Sequence, residues 1–452
     1  QWCRVLEHDV LPSEPVVRVL SERYVALEAN VDAAPSWMDL PGVEGLPTLA
    51  FFDPSGRHVL TRSGYREARD LTFQLEVIAK RIMAGDVPPY PAMESGPALP
   101  KVGLTPAEAA GELARLEREI FWKVNSNDGG FGGVARNPYP EVFLELEAWR
   151  ALGAPERVGR WIDLAVASAL RGRSPRLDGE PLPDLDFSGA ELIDLARRGP
   201  DAGPRWREGI ERLPTQDPYE GIQDPVDFGV FRYAAGPGWY QPHFERSAAD
   251  NLAWALLLRR RGAGEGAGRI AGFVQATFGA EGPLAAYQRS DPFYYRLRAE
   301  ERAGVSAPAV SGPWLLKVQA RAARLWPARC GRLAALRPSA WPRAWWTAEG
   351  EDPGAPPATA DAVGELLLAL ASCPGADGAR AKLVEFVTAV WAKEAPRGGA
   401  RLHRLAAGLC AADPAVCPRA LAAVRGMAFH PDFAPPLEAL ARVARTQVVP
   451  VP

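Results

Sequence analysis

The segment 221–251 carries the side chains best suited to acid–base chemistry. Sugar epimerisation and glycoside hydrolysis both need an acid and a base whose environments push their pKa values apart. His243 and Glu245, two positions apart, are the candidate catalytic pair. Neighbouring side chains suited to binding a hydroxylated ligand are Asp224, Asp227, Arg232, Tyr233, Trp239 and Asp250. A structural network of satisfied buried polar groups is the competing interpretation.

Two further residues bear on this chemistry. An epimerase-like site with two histidines would require His403 to approach His243, which spacing along the chain does not show. Aromatic side chains in loops could stack on a sugar ring or fill gaps between helices. The loop tryptophans are Trp239, Trp341, Trp345 and Trp346.

Cys3 is the candidate catalytic residue for thiol–disulfide exchange. This exchange needs an exposed thiolate, favoured at a helix N-terminus, and a second thiol to resolve the mixed disulfide. The next cysteine along the chain is Cys330, so Cys3 has no nearby partner in the sequence. A partly buried thiol that packs as a small hydrophobe is the alternative. Pro47 is the cis-proline candidate facing Cys3, and a trans proline at a strand start is its alternative.

A small α/β unit would position these two residues. A helix is predicted at 14–22, strands at 24–31, 48–52 and 57–61, and a second amphipathic helix at 71–82. The sequence DPSG at 53–56 is typical of a type I turn, which predicts a hairpin from the last two strands. The proline-rich stretch that follows, 86–103, predicts a linker.

Beyond the linker the pattern is almost entirely helical. Thr105 is the predicted N-cap of the first helix, with proline next and glutamate three positions on. The predicted helices are 105–122, 141–153, 156–171, 188–198, 246–261, 265–278, 312–325, 359–372, 379–393, 398–411, 414–427 and 435–446. Because no fixed sequence repeat accompanies them, helical hairpins closed into an α/α toroid are favoured over an open solenoid.

The first residues resemble the thioredoxin-like domain of a thioredoxin-domain-containing family typified by spermatogenesis-associated protein 20. The family pattern, roughly C-x-W-C-x-V-M-E followed later by an aspartate, is matched at Trp2, Cys3, Val5, Glu7 and Asp32. The segment EGLPTLAFF at 44–52 resembles the Gly-x-Pro segment of that family, with Pro47 at the cis-proline position. The resemblance implies a redox role, with the family's first cysteine and leading strand expected before Gln1.

The helical part resembles the same family. The segment DGGFGG at 128–133 is similar to its first toroid loop. The family's longest signature is matched without gaps at Gly221, Ile222, Asp224, Gly229, Arg232, Tyr233, Trp239, Pro242, His243, Phe244, Glu245, Asp250 and Asn251. This resemblance implies a six-hairpin α/α toroid of the kind seen in sugar epimerases and glycosidases. The chain departs from the family at Phe231 and Tyr139, where histidines are expected, and at Asp227 and Phe228, where glycines are expected.

Composition and charge argue against several classes of function. The 52 Lys and Arg residues against 55 Asp and Glu give a net charge of −3, and no segment concentrates basic residues, so neither nucleic acid nor a membrane is an expected partner. The sequence has neither the residue spacing of a metal site nor a phosphate-binding loop in a suitable context, so neither a metal nor another cofactor is expected. Five scattered cysteines do not indicate a disulfide scaffold, which favours a reducing, cytoplasmic location.

These patterns predict a multidomain protein. A small α/β thioredoxin-like domain lacking its leading strand (1–92) is followed by a linker (93–103) and an all-α six-hairpin toroid (104–452). The first functional hypothesis is thiol redox chemistry or thiol recognition, with a thiol-containing protein or a carbohydrate-like small molecule as partner. The second is a sugar epimerase or hydrolase with His243 and Glu245 side by side in an open cavity on the toroid axis. The third is a non-catalytic binding or scaffold protein with a filled axis.

Overall fold

The structure, a computed structural model, describes residues 6–29, 47–86, 97–125, 128–132, 136–171, 221–234, 239, 242–279, 282–291, 294–295, 299–336, 340–347, 350–352, 354–394, 396 and 399–446. The chain forms two compact units, residues 1–96 and 97–452. It is mostly helical with a few small sheets.

The first unit contains a hairpin and two helices. After a π-helical turn (Leu6–Val10) come α1 (Glu14–Arg23), β1 (Thr48–Phe52), β2 (His58–Ser63) and α2 (Ala68–Met83). The Asp53 carboxylate accepts hydrogen bonds from the backbone N–H groups of Ser55 and Arg57, which fixes the turn between the strands. β1 and β2 pair antiparallel, so the predicted hairpin is confirmed.

The core of the first unit lies between this hairpin and the helices. α1 packs on α2, and the buried residues are Leu6, Val10, Val16, Val19, Phe51, Val59, Leu71, Leu75 and Ile78. The strand predicted at 24–31 is wrong over its described part, 24–29, which is not strand. Val25 and Leu27 are 90% and 85% exposed there. Strand propensity alone does not form a strand, because the backbone groups need a paired neighbour, and no described residue supplies one.

The second unit is built from helices. They are α3 (Pro106–Lys123), α4 (Pro140–Ala151), α5 (Glu156–Arg171), α6 (Ala248–Arg260), α7 (Gly264–Phe278), α8 (Ala299–Arg302), α9 (Leu316–Leu325), α10 (Cys330–Ala334), α11 (Ala360–Ser372), α12 (Asp377–Lys393), α13 (Leu402–Ala412), α14 (Cys417–Val424) and α15 (Leu437–Arg445). Thr105 caps α3, and the Glu108 carboxylate accepts a hydrogen bond from the Thr105 N–H at 2.9 Å, which confirms the predicted N-terminus. The helix predicted at 188–198 lies outside the described residues.

Six of the described helices pack in sequence around a closed circuit. α4 packs on α6, α6 on α9, α9 on α11, α11 on α13, α13 on α15, and α15 returns to α4. The other long helices each pack on one or two of these: α3 on α15, α5 on α4, α7 on α6, α12 on α11 and α13, and α14 on α13 and α15. α4 is buried at every position from Pro140 to Trp149. A helix that is buried on all sides belongs to an interior layer, so α4 lies inside this unit. We call the six helices of the circuit the inner helices.

Two glycines allow α11 and α13 to approach closely. A Cβ atom on Gly364 would lie 2.3 Å from the Arg404 carbonyl oxygen, and one on Gly408 would lie 2.4 Å from the Gly364 carbonyl oxygen. A larger residue at either position would therefore have to separate two inner helices.

Two small antiparallel sheets lead into the inner helices. One contains β3 (Arg246–Ser247), β4 (Tyr287–Gln288) and β5 (Val310–Ser311), and the other contains β6 (Trp314–Leu315), β7 (Trp345–Thr347) and β8 (Gly350–Glu351). β3 continues directly into α6, and β6 continues directly into α9. The sheets therefore lie at the N-terminal ends of these two inner helices.

The end of the predicted linker packs on the helices of the second unit. The Leu99 N–H donates to the Trp391 carbonyl oxygen at 2.9 Å, and the Trp391 indole N–H donates to the Pro97 carbonyl oxygen at 3.0 Å. Leu99 is buried. The Leu104 N–H donates to the carbonyl oxygen of Pro418 on α14. Residues 97–104 thus pack across α12 and α14.

Four cysteines of the second unit form two disulfides, Cys330–Cys373 and Cys410–Cys417. The interpretation of scattered cysteines without disulfides is therefore wrong for these four. Helical hairpins bring together residues 43 and 7 positions apart, a proximity that spacing alone does not reveal. Among the described residues, no helix has both the length and the apolar character needed to cross a membrane.

Candidate functional site

Short extended segments place the signature residues side by side. The Arg232 N–H donates to the Glu245 carbonyl oxygen at 3.1 Å, and the His243 N–H donates to the Tyr233 carbonyl oxygen at 2.8 Å. The chain at 231–234 therefore lies beside 242–245, and the four predicted side chains lie close to β3 and the start of α6.

His243 and Glu245 are neighbours in space. The His243 Nδ1 atom lies 3.8 Å from a Glu245 carboxylate oxygen, and its ring stacks on Tyr233 with 4.7 Å between centroids. Burial, with a contribution from the Arg232 charge, lowers the pKa of His243 to about 4. The imidazole is consequently neutral near pH 7, where it can donate or accept a hydrogen bond.

Arg232 connects this pair to Asp250. Its guanidinium donates to the Glu245 carboxylate at 3.2 Å, and its Nε atom lies 4.0 Å from an Asp250 carboxylate oxygen. The same guanidinium lies over the Tyr287 ring, 5.9 Å from the centroid. The predicted binding residues Arg232 and Asp250 thus belong to one cluster with the predicted catalytic Glu245.

Asp250 lies in the first turn of α6, which Ser247 caps by accepting from the Asp250 N–H. The Asp250 side chain is 28% exposed. Burial and the negative charge of Glu141 raise the pKa of Asp250 to about 6, even though Arg232 and Arg321 lower it. A carboxyl group with this pKa can both take and return a proton near neutral pH.

Other inner helices contribute charged residues at their first turns. The Lys317 ammonium donates to the Asp361 carboxylate at 3.3 Å and lies 3.6 Å from Glu141. Arg401, just before α13, donates to Asp361 at 3.3 Å. Burial alone would raise the pKa of Asp361, but the positive charges of Lys317 and Arg401 outweigh burial and lower this pKa to about 2. We call the following residues the mouth cluster: Arg232, His243, Glu245, Asp250, Glu141, Lys317, Asp361 and Arg401.

A second layer of charges lies one turn further along the same helices. The buried Glu365 carboxylate accepts hydrogen bonds from Arg321, Arg324 and Arg404. Arg404 also donates to Glu145 on α4 at 2.6 Å. Asp361 pairs with Lys317 and Arg401. One turn later Glu365 pairs with Arg321 and Arg404. α9, α11 and the chain that enters α13 therefore run in the same direction. At this second level the described side chains fill the centre of the circuit with ion pairs.

Three of the predicted ligand-binding residues, Asp224, Asp227 and Trp239, lie away from the mouth cluster. The Asp224 carboxylate is fully buried and accepts from Arg246 and Arg302. Arg246 also pairs with the other predicted acid, Asp227, at 2.6 Å. Trp239 is buried, and a Cβ atom on Gly130 would lie 2.4 Å from its ring. Asp224 therefore anchors the backbone around β3, and Trp239 fills a gap against a glycine loop.

The remaining predicted residues are less informative. Cys3 lies outside the described residues. Pro47 immediately precedes β1, and its carbonyl oxygen accepts from the Gly64 N–H. His403 is buried on α13, where burial and then Arg115 of α3 lower its pKa to about 4. Because the charges around His403 come from α3 and those around His243 come from Arg232 and Glu245, the two histidines do not share a described site.

Sequence reasoning missed four residues of the mouth cluster: Glu141, Lys317, Asp361 and Arg401. A signal was present in the sequence. A charged residue recurs four positions after the first in α4, with Glu141 and Glu145, and in α11, with Asp361 and Glu365. A charge on the buried face of an inner helix needs a partner, so this recurrence predicts charges that meet at the centre.

Comparisons with known proteins add a distant relative. No family model matches the chain. An uncharacterized protein of Caenorhabditis elegans, B0495.5, is 22% identical over 259 residues, which cover 55% of this chain and 30% of the relative. The described residues contain no group of three or more His, Cys, Asp or Glu side chains placed to hold a metal ion.

Proposed function

We propose that the second unit is a sugar-active enzyme built on an α/α toroid, and that it moves a proton at the mouth cluster. The closed circuit of six inner helices supports the toroid. The ungapped signature at 221–251 supports kinship with the family of spermatogenesis-associated protein 20. The reaction we favour is isomerisation of an open-chain sugar.

The position of Asp250 carries this proposal. Asp250 is a partly exposed carboxyl at the N-terminal end of an inner helix, beside Arg232 and close enough to Glu141 for that charge to raise its pKa. Helix N-termini and neighbouring cations ordinarily favour the ionised carboxylate, so a carboxyl with a pKa of about 6 in this place is unusual. Perturbed carboxyl groups of this kind concentrate at active sites.

The mouth cluster contains the groups that this proton transfer needs. Ionised Asp250 takes the proton from the carbon beside the sugar carbonyl, and the electron pair of the broken C–H bond forms an enediolate. Arg232 and Lys317 offset the charge that develops on its oxygen atoms. The hydroxyl proton then passes from the second enediolate oxygen to the former carbonyl oxygen. Asp250, whose proton exchanges with solvent in between, protonates the former carbonyl carbon, which completes the isomerisation without an oxidant or a reductant.

Hydrolysis is supported less well by the same geometry. A glycosidase needs two carboxyl groups that flank the scissile bond and are free to act on it. Glu141 is engaged by Arg321 and Lys317, and Glu245 is engaged by Arg232. Each of these carboxyl groups is held by a cationic partner, so neither is available to act with Asp250 on a glycosidic bond.

Proton exchange in deuterated water tests the proposal. The full chain is incubated with a panel of aldoses and ketoses, and loss of the proton signal beside the carbonyl is followed by NMR. We expect exchange with at least one sugar, and a rate that rises with pH through about 6 because Asp250 acts in its ionised form. Asp250→Asn is expected to lower the rate by about 10²- to 10⁴-fold.

Asp377→Asn is the matched control, since Asp377 is an exposed first-turn aspartate of the outer helix α12. It should leave the exchange rate unchanged. Cleavage of nitrophenyl glycosides that depends on Asp250 would instead identify a hydrolase. Failure of every sugar to exchange, to be cleaved or to bind would leave the scaffold hypothesis.

The redox role of the first unit stays a prediction, as does its thioredoxin-like fold. Cys3 lies outside the described residues, and the other four cysteines are bonded to one another in the second unit. A cytoplasmic location is likewise a prediction. Structural disulfides persist in oxidising compartments and are rare in the cytosol, so their presence in the purified protein would argue against that location.

A further inference from the structure

An apolar groove lies on the first unit between β2 and α2. Its volume is about 330 Å³, and Leu60 and Arg62 of β2 line one wall. Phe73, Val77 and Arg81 of α2 line the other wall. Clefts that bind ligands begin at about this volume, so the groove is large enough for a few apolar side chains of a partner.

The helix α2 has two apolar faces, and the core of the first unit covers one of them. Leu71, Leu75 and Ile78 are buried in that core. Phe73 and Val77, which are one helical turn apart, are 67% and 37% exposed. Large apolar side chains that are exposed side by side mark interaction sites, unlike those that are scattered singly. The second face of α2 is therefore suited to contact another molecule.

Two exposed arginines at the groove have no acidic partner among the described residues. Arg62 donates to the Thr61 carbonyl oxygen at 3.3 Å, and Arg81 donates to the Asp86 carbonyl oxygen at 3.4 Å. No acidic residue of the described chain lines the groove. A guanidinium binds a carboxylate through two parallel hydrogen bonds, and arginine is enriched at protein interfaces. The charge of the groove is therefore complementary to carboxylates on a partner.

We propose that this groove binds a partner protein through a segment whose apolar side chains are flanked by aspartate or glutamate. The apolar side chains contact Phe73 and Val77. Because Arg62 and Arg81 stand on opposite walls, the segment carries carboxylates on both sides of its apolar residues. A concave surface fits a peptide segment better than a flat bilayer. This binding is independent of the sugar chemistry proposed for the second unit.

Selection of peptides displayed on phage tests the proposal with the full chain. A library of random short peptides is selected on the wild-type protein, and the enriched peptides are synthesised with a fluorescent label and titrated with each variant. We expect the enriched sequences to combine large apolar residues with aspartate or glutamate. Their Kd should lie in the micromolar range, as is usual for a small and transient interface.

Phe73→Asp should weaken the binding of these peptides at least about tenfold, because large aromatic side chains carry much of the energy of an interface. Val17→Asp is the matched control, since Val17 is 47% exposed on α1 and lies outside the groove. It should leave the affinity unchanged. Both replaced side chains are exposed, so the circular dichroism of both variants should match the wild type.

Arg81→Ala should weaken binding about two- to fivefold at low salt, as expected for an exposed ion pair. The effect should shrink at high salt because ions screen exposed charges. Lys80→Ala is the matched control, since Lys80 is the neighbouring exposed cation of α2 and lies outside the groove. It should bind the peptides like the wild type.

Three results would overturn the proposal. They are a selection that yields no peptide, enriched peptides that are basic, and enriched peptides that Phe73→Asp binds as tightly as the wild type. Two further measurements distinguish other occupants. Sedimentation with vesicles of phosphatidylserine and phosphatidylcholine that depends on Phe73 would identify a membrane surface instead, and a dimer that Phe73→Asp dissociates would identify a second copy of the chain.

Discussion

Replacement of Glu365 by glutamine probes the charged centre of the inner circuit. The fully buried carboxylate accepts from Arg321 at 3.0 Å, from Arg324 at 2.9 Å and from Arg404 at 2.9 Å. Glu365→Gln keeps the size of the side chain but removes the charge that three guanidinium groups share. Breaking a buried ion pair by removing one partner costs about 3–5 kcal/mol, and we expect the free energy of unfolding to fall by that amount.

Urea unfolding followed by tryptophan fluorescence measures this change. Of the fourteen tryptophans, Trp2 and Trp37 precede residue 97, so the signal reports mainly on the second unit. Glu265→Gln is the control because Glu265 is 80% exposed and pairs with Arg269 within one outer helix. Exposed pairs of this kind contribute little to stability, so the control should unfold like the wild type.

The difference in the free energy of unfolding between the wild type and Glu365→Gln should depend on pH. Burial alone would raise the pKa of Glu365, but the positive charges of Arg404, Arg321 and Arg324 outweigh burial and lower this pKa to well below its usual value. The stabilisation from this lowered pKa is fully present above the ordinary glutamate pKa of about 4.3 and is lost as pH falls through the folded value. The destabilisation by Glu365→Gln should therefore shrink in acid. A loss below about 1 kcal/mol at pH 7 would refute a buried, fully ionised centre.

Two further predictions concern the packing of the second unit. Gly364→Ala should destabilise it by about 1–3 kcal/mol because the new methyl group overlaps the backbone of α13. The control is Gly111→Ala, at an exposed site of α3 with open space around it, which should stabilise α3 by up to about 1 kcal/mol. Equal effects of the two substitutions on the free energy of unfolding would contradict the close approach of α11 and α13. Peptide mapping without reduction should recover Cys330 linked to Cys373. Because this disulfide closes a loop of 43 residues, its loss should lower the free energy of unfolding by about 4 kcal/mol. Free thiols at both positions would contradict the pairing.

The elements set by local rules could be predicted from the sequence. The turn DPSG needs only its own side chains, and Asp53 bonds to backbone groups within four positions. The N-cap Thr105 and its partner Glu108 are also three positions apart. Leu71, Leu75 and Ile78 are buried because a helix places them on one face. Each of these predictions depends on neighbours within about one or two turns.

Long-range contacts could not be predicted in this way. Residues 24–29 have suitable strand composition but lack a described strand to pair with. The roles of Asp224 and Trp239 depend on Arg246, Arg302 and a glycine loop that only the fold brings to them. A signature match alone could not separate residues that hold the backbone of this segment from residues of the mouth cluster.

Ion pairs between the inner helices show the same limit. Arg321 and Glu141 are 180 positions apart, and Arg404 and Glu145 are 259 positions apart, yet each pair is in contact. These contacts exist because the inner circuit closes, with α15 returning to α4. Closure also sets Asp250 near Glu141, and burial together with this neighbouring charge raises the pKa of Asp250. A change that separates α11 from α13, such as Gly364→Ala, should therefore shift the pH midpoint of activity as well as lower stability.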